Sequence, residues 1–303
     1  MSAHIRHRLR RAATQLTARA RRDPPEDEAP SFFGVTRFSV YRPDGAAWKL
    51  TRNTDDADAY REQLWSPERM RPRCDIFLTL TLPLLQRMSE RHTYRHVVMY
   101  SEQMPDPWRS ELFAAAEQYP VLCLQENARG ETANPTVEEL LAAEDRPSRT
   151  VVRFRLDDDD ILAVDYLDRI AAFATPNDRG RSVSLAAGYS GLYDRGTVRQ
   201  VRAARRLFGA QGLAAIGHYD AAAGELTLRS GAGHHKVDRS MPTIVDSRQP
   251  AFFQMRHTGQ DTLSDADEAR EQIVRALDKL SEVTDLSEVL RRFPTLEGHL
   301  EDG

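Results

Sequence analysis

Three short apolar runs, HVVMY (96–100), VLCLQ (121–125) and TVVRFRL (150–156), are separated by segments of helical periodicity, PWRSELFAAAEQY (107–119) and TVEELLAAE (136–144). This alternation constrains the fold more than any other feature. Strands joined by helical crossovers predict a mostly parallel sheet covered on both faces. FFGVTRFSVY (32–41) reads as an earlier strand, residues 55–64 as a short helix, and IFLTLTLPLLQRMSER (76–91) as the entry to a longer one. Beyond residue 174 the pattern changes. SVSLAAGYSGLY, LAAIGHY, ELTLRS and AFFQMRH look like further strands separated by polar and glycine-containing loops. LSDADEAREQIVRALDKLSEV (263–283) reads as an amphipathic helix with Leu263, Ile273, Leu277 and Leu280 among its apolar positions. The expected fold class is therefore α/β, one domain with a mixed second half.

Composition bounds the function. With 40 % hydrophobic and 29 % charged residues in 303, the chain is an ordinary soluble globular protein able to bury a core without staples. A net charge of -4 argues against a nucleic-acid partner. Two cysteines, Cys74 and Cys123, make no disulfide framework, and no apolar run could span a bilayer, so a cytoplasmic location is expected. Residues 1–22 carry seven arginines and no acid, and are followed by the acidic, proline-rich DPPEDEAP. Ile5, Leu9, Ala13 and Leu16 recur at helical spacing. The segment is either a basic amphipathic helix that docks at the inner face of a membrane, or a solvated tail. Pro24, Pro25 and Pro30 mark a linker, and the folded part is expected from Ser31 onward.

RFRLDDDDILAVDYLDRI (153–170) crowds four carboxylates at the end of a strand. In parallel α/β sheets ligands gather at such strand ends. Along TVVRFRL, Val152, Phe154 and Leu156 share one face and Val151, Arg153 and Arg155 the other, with Asp157 following the arginines. One acid, Asp160, is placed to cap the following helix. A cap and a helix dipole need one acid, not four. The Asp-x-Asp pair Asp157 and Asp159 can instead hold a hard divalent cation, Mn2+ or Mg2+, which would cancel their repulsion and neutralise a diphosphate.

The order FFGVTRFSV (32–40), TLPLLQRMSE (81–90), VVMYSEQMP (97–105), RFRLDDDD (153–160) and QMRHTGQDT (254–262) resembles the putative rhamnosyltransferase family, bacterial glycosyltransferases of GT-A type. The resemblance implies a GT-A-like (Rossmann-like) mixed, mostly parallel sheet, a nucleotide-diphosphate sugar donor, and a glycan or lipid-linked acceptor hydroxyl. It divides the chain into a tail and linker (1–30), a nucleotide-sugar half (31–174), an acceptor half (175–262) and a C-terminal helical segment (263–303). Carried onto this sequence, it makes Asp157, Asp159 and His257 the metal ligands. Arg37, Glu102, Arg155, Asp157 and Asp158 become donor-binding residues. Each has a plainer reading: a strand-edge arginine, a solvated acid, a local salt bridge or a satisfied histidine. An inverting transfer also needs a base. GAGHHKVDRSMP (231–242) offers His234, His235 and Asp238 for that role, and SGLYDRG offers Asp194.

Two other functions fit part of the pattern. A strand followed by Asp-x-Asp also opens the magnesium-dependent phosphohydrolases of haloacid dehalogenase type. Those usually carry it on the first strand, whereas α/β structure precedes it here, and no later aspartate pair beside an apolar strand is evident. The other alternative is a GT-A-like binding module that has lost turnover.

Overall fold

The computed structural model describes residues 27–42, 57–127, 132–229, 234–260 and 266–301. Residues 1–22, with their expected helix, and Leu263 lie outside them. Four parallel strands form one side of the larger sheet: β1 (Asp27–Arg37), β2 (Tyr94–Ser101), β3 (Leu122–Asn127) and β4 (Arg149–Arg155), in the order β3-β2-β1-β4 with β3 at the edge. Side chains alternate across it. Phe32, Val98, Val152 and Phe154 join one core cluster, while Phe33, Val97, Met99 and Val151 join another on the opposite face. Burial on both sides explains why these strands read as continuous apolar runs. Before β2 come α1 (Ala57–Leu64), α2 (Pro67–Cys74) and α3 (Leu82–Ser89); α4 (Trp108–Gln118) links β2 to β3, and α5 (Asn134–Ala143) links β3 to β4.

Here the boundaries depart from the sequence reading. The first strand begins at Asp27, not Ser31, so Pro30 belongs to it, beside a register shift between Asp27 and Ser31. It ends at Arg37, because Ser39 takes a left-handed conformation (φ 45°) that a strand cannot continue. Asp75–Thr81 form a π-helix rather than the first turns of an α-helix. Pro83 has no N–H to donate, and the Leu82 N–H reaches back five residues to the Phe77 carbonyl.

Beyond β4 the sheets divide. The larger sheet continues antiparallel through β9 (Ala214–Asp220), its hairpin partner β10 (Glu225–Thr227) and β6 (Ser182–Leu185), and closes on β11 (Thr243–Asp246). A second sheet has the order β13-β8-β7-β12-β5, from Ser281–Glu282, Thr197–Arg205, Ala187–Asp194, Phe252–Arg256 and Asp160–Leu162. The helix expected directly after the aspartates is therefore displaced. Ile161 and Leu162 pair with Phe253 and Phe252 as β5, and the helix, α6, runs Tyr166–Ala171. Only residues 156–159 separate β4 from β5, so the chain crosses from one sheet to the other through the aspartates. Near the C-terminus, α7 (Ala266–Leu277) packs Ile273 and Leu277 on Leu192 of β7, and α8 (Ser287–Arg292) buries Val289.

Candidate active site

A hydrogen-bond relay fixes where the aspartates begin. Thr36 of β1 donates its hydroxyl to the Leu156 carbonyl (2.9 Å), so its oxygen must accept from His96 Nε2 of β2 (2.8 Å). His96 Nδ1 then accepts from the Tyr94 hydroxyl (2.6 Å). Burial pulls this imidazole down to about 3, keeping it neutral as the relay requires. Gly34 makes the room, since a Cβ there would lie 2.1 Å from His96 Nδ1.

The four aspartates then part company. Asp157 is about one-third exposed and receives the Arg155 guanidinium at 2.7 Å and 3.0 Å, so the pairing of neighbours is real. Asp158 is buried. Its Oδ1 pairs with Arg73 of α2, and its Oδ2 accepts the Ser39 backbone N–H (3.0 Å) and hydroxyl (3.3 Å). Burial pushes its carboxyl up to about 6 against the pull of Arg73. With both oxygens engaged, Asp158 ties the loop after β1 to the strand end, and it also lines the first cavity described below. Burial alone would also raise Asp159, but Arg73 (3.4 Å) and His257 Nε2 (3.2 Å) hold it well below the usual carboxylate range. Asp160 caps nothing. Buried beside Asp159 and Asp157, it is raised well above that range and accepts from Gln211 (2.7 Å).

Crowding is thus relieved by arginines and by the raised proton affinity of the buried Asp160, a solution invisible to local spacing because Arg73 lies 85 residues away. Arg69, Arg73 and Ser39 were missed by the sequence reading. The two arginines lie in PERMRPRC (67–74), a polar stretch with no motif, and Ser39 sits in a segment that reads as strand.

Asp157 and Asp159 open on a cavity of about 340 Å³ whose lining includes Arg37, Arg42, Arg155 and Arg256. A second cavity, of about 470 Å³, shares Arg37 and Arg155 with it and adds Arg153, Asn134, Met99 and His234. For a hard divalent cation the donors are the two carboxylates of Asp157 and Asp159, whose second oxygens engage no described residue. Among the described residues no group of three His, Cys, Asp or Glu side chains gathers as a metal cluster. Two carboxylates still suit Mn2+ or Mg2+, which commonly take their remaining ligands from phosphate and water. His257, the expected third ligand, is 1 % exposed, lines neither cavity and sets Nε2 3.2 Å from Asp159, with Nδ1 buried and without a partner among the described residues.

The remaining expected residues scatter. Glu102 is exposed just after β2 and lines neither cavity. His235 and Asp238 are exposed, whereas the neighbouring His234 is half-buried and faces the second cavity. Asp194 closes the β7–β8 hairpin, whose central Arg195 and Gly196 both have positive φ, and pairs with Arg270 at 3.1 Å.

The model of the putative rhamnosyl transferase family matches residues 31–268. The chain belongs to that family. It is accordingly a glycosyltransferase-type protein, with the mixed α/β sheet flanked by helices that the resemblance implied. No curated protein sequence matches it. Among solved structures, S. aureus TarS 1-349 in complex with UDP-GlcNAc is similar at 12% identity and a TM-score of 0.39, over 86% of this chain and 67% of that one. A further TarS structure is 10% identical with a TM-score of 0.33, over 86% of this chain and 41% of TarS. GalNAc-T7 with UDP, GalNAc and Mn2+ is 12% identical with a TM-score of 0.25, over 54% of this chain and 24% of that one. The chain therefore spans about a quarter of GalNAc-T7 and well under half of that longer TarS. No described helix is long and apolar enough to cross a membrane.

Proposed function

We propose that this member of the putative rhamnosyl transferase family moves a sugar from a nucleotide-diphosphate donor to a hydroxyl of a glycan or lipid-linked acceptor, with Mn2+ or Mg2+ held by Asp157 and Asp159. The observation that carries the reading is the charged Asp159 beside Asp157, opening at the carboxyl end of β4 into an arginine-lined cavity. A bound cation would neutralise the diphosphate and so ease its departure. Arg155 orients Asp157, Arg73 and His257 orient Asp159, and the buried Asp158 ties the strand to the loop after β1. Transfer forms a bond from the acceptor oxygen to the anomeric carbon and breaks the bond from that carbon to the diphosphate. In an inverting reaction the acceptor proton needs a base. His234 is the favoured one of the three loop candidates. It faces the adjoining second cavity, which shares Arg37 and Arg155 with the first, and burial together with Arg155 lowers its affinity for a proton, favouring the neutral ring a base requires.

A panel of nucleotide-diphosphate sugars tests this directly. One donor should be hydrolysed slowly in Mn2+ and not in chelator, and Asp159→Asn should cost about 100-fold or more in rate. A family member that releases phosphate from phosphomonoesters and ignores every nucleotide sugar would be the hydrolase instead. Nothing in the lining residues selects rhamnose, and the same panel names the sugar.

A further inference from the structure

The second cavity holds more positive charge than the aspartates balance. Register places Arg153 of β4 opposite Phe33 and Arg155 opposite Val35, so both side chains lie on the sheet face that carries Arg37 at the end of β1. All three line the cavity. Arg155 has Asp157 for a partner. Arg153 is half-buried, and among the described residues its guanidinium bonds only to the neutral Asn134 amide oxygen at the start of α5. Arg37 is half-buried, with no hydrogen bond or ion pair to any described residue. Burial and the neighbouring Arg42, Arg155 and Arg153 pull its guanidinium down to about 10. Burying like charges side by side is costly unless an anion joins them. The rest of the described lining mixes apolar Met99, Phe154 and Met241 with polar Thr132, Ser182, Arg229 and His234, and supplies no acidic side chain.

We propose that Arg37, Arg153 and Arg155 form an anion site in this second cavity that takes a phosphate-type oxyanion through guanidinium contacts, without a metal ion. Guanidinium forks match phosphate oxygens in pairs, and the amino end of α5 opens on the same space. The anion comes either from the donor diphosphate, in which case the site rests on the sugar-transfer reading above, or from a phosphate carried by the acceptor.

Inorganic pyrophosphate titrated calorimetrically into the full chain in EDTA is the test. Binding is expected, weakened about tenfold or more in Arg153→Gln and in Arg37→Gln, and largely kept in Asp159→Asn. Arg153→Lys, which keeps the charge, should retain part of the affinity and guards against a folding defect in the glutamine variant. Uridine diphosphate added to the pyrophosphate complex then separates the sources: displacement assigns the site to the donor, simultaneous binding to an acceptor phosphate. Absence of pyrophosphate binding in EDTA, or equal binding by folded Arg153→Gln and Arg37→Gln, overturns the proposal. So does binding that needs Mn2+, vanishes in Asp159→Asn and ignores the arginines, although that result would leave the metal-dependent transfer intact.

Discussion

Asp158 and Asp159 are adjacent in the chain, yet one anchors the loop after β1 and the other is the proposed cation ligand. Asp158→Ala would leave Arg73 buried beside a lost partner and free the Ser39 turn. A loss of about 1–3 kcal/mol is expected by urea denaturation, because Arg73 keeps Asp159 while the buried Ser39 donors lose their acceptor. His96 gives the protein an acid limit. Its folded value, about 3, lies below the unfolded imidazole's, so the two states bind protons equally at neutral pH. As pH falls below about 6.5 the unfolded chain takes up a proton that the folded ring refuses, and stability drops by up to about 1.4 kcal/mol per pH unit until the ring itself titrates. His96→Gln, read by urea midpoints between pH 7 and pH 4, should show a shallower decline than the parent chain; an identical slope would remove His96 as the cause. Of these residues the sequence displayed the aspartate block and the face shared by Arg153 and Arg155. It could not display that Arg73 would neutralise two of the acids, because that pairing is made by the tertiary fold alone.

Elements were legible where periodicity was clean and misread where two structures compete. The strands β2 and β4 emerged from apolar runs buried on both faces, and the half-buried edge strand β3 and the intervening helices from their periodicity. ILAVDYLDRIAAF carries helical periodicity, but Ile161 and Leu162 gain more by pairing with Phe253 and Phe252, and the helix starts later. β8, TVRQVRAAR, escaped notice because exposed arginines and a glutamine interrupt its buried positions. Gly34 shows the reverse case, in which a strand needs the absence of a side chain. Gly34→Ala would press a methyl into the His96 ring, which Tyr94 and Thr36 hold from both sides. A destabilisation of about 1–3 kcal/mol is expected from overpacking. Calorimetric melting within error of the parent would show that the relay can yield.

At the scale of the whole molecule, the family match spans both sheets except β13 and the start of β1, and leaves residues 1–30 and 269–303 outside it. Residues 1–22, with their seven arginines, suit an anionic membrane surface and hence a lipid-linked acceptor. Removing them should lower co-sedimentation with anionic vesicles while leaving soluble donor hydrolysis unchanged; undiminished sedimentation would end the membrane reading. The larger architecture has its own logic in the four-residue passage from β4 to β5. A link of that length reaches about 14 Å at most when fully drawn out. It works as a short tether between two rigid plates: a ligand gripping Asp157 and Asp159 holds the knot itself, and the plates cannot drift apart without prising it open.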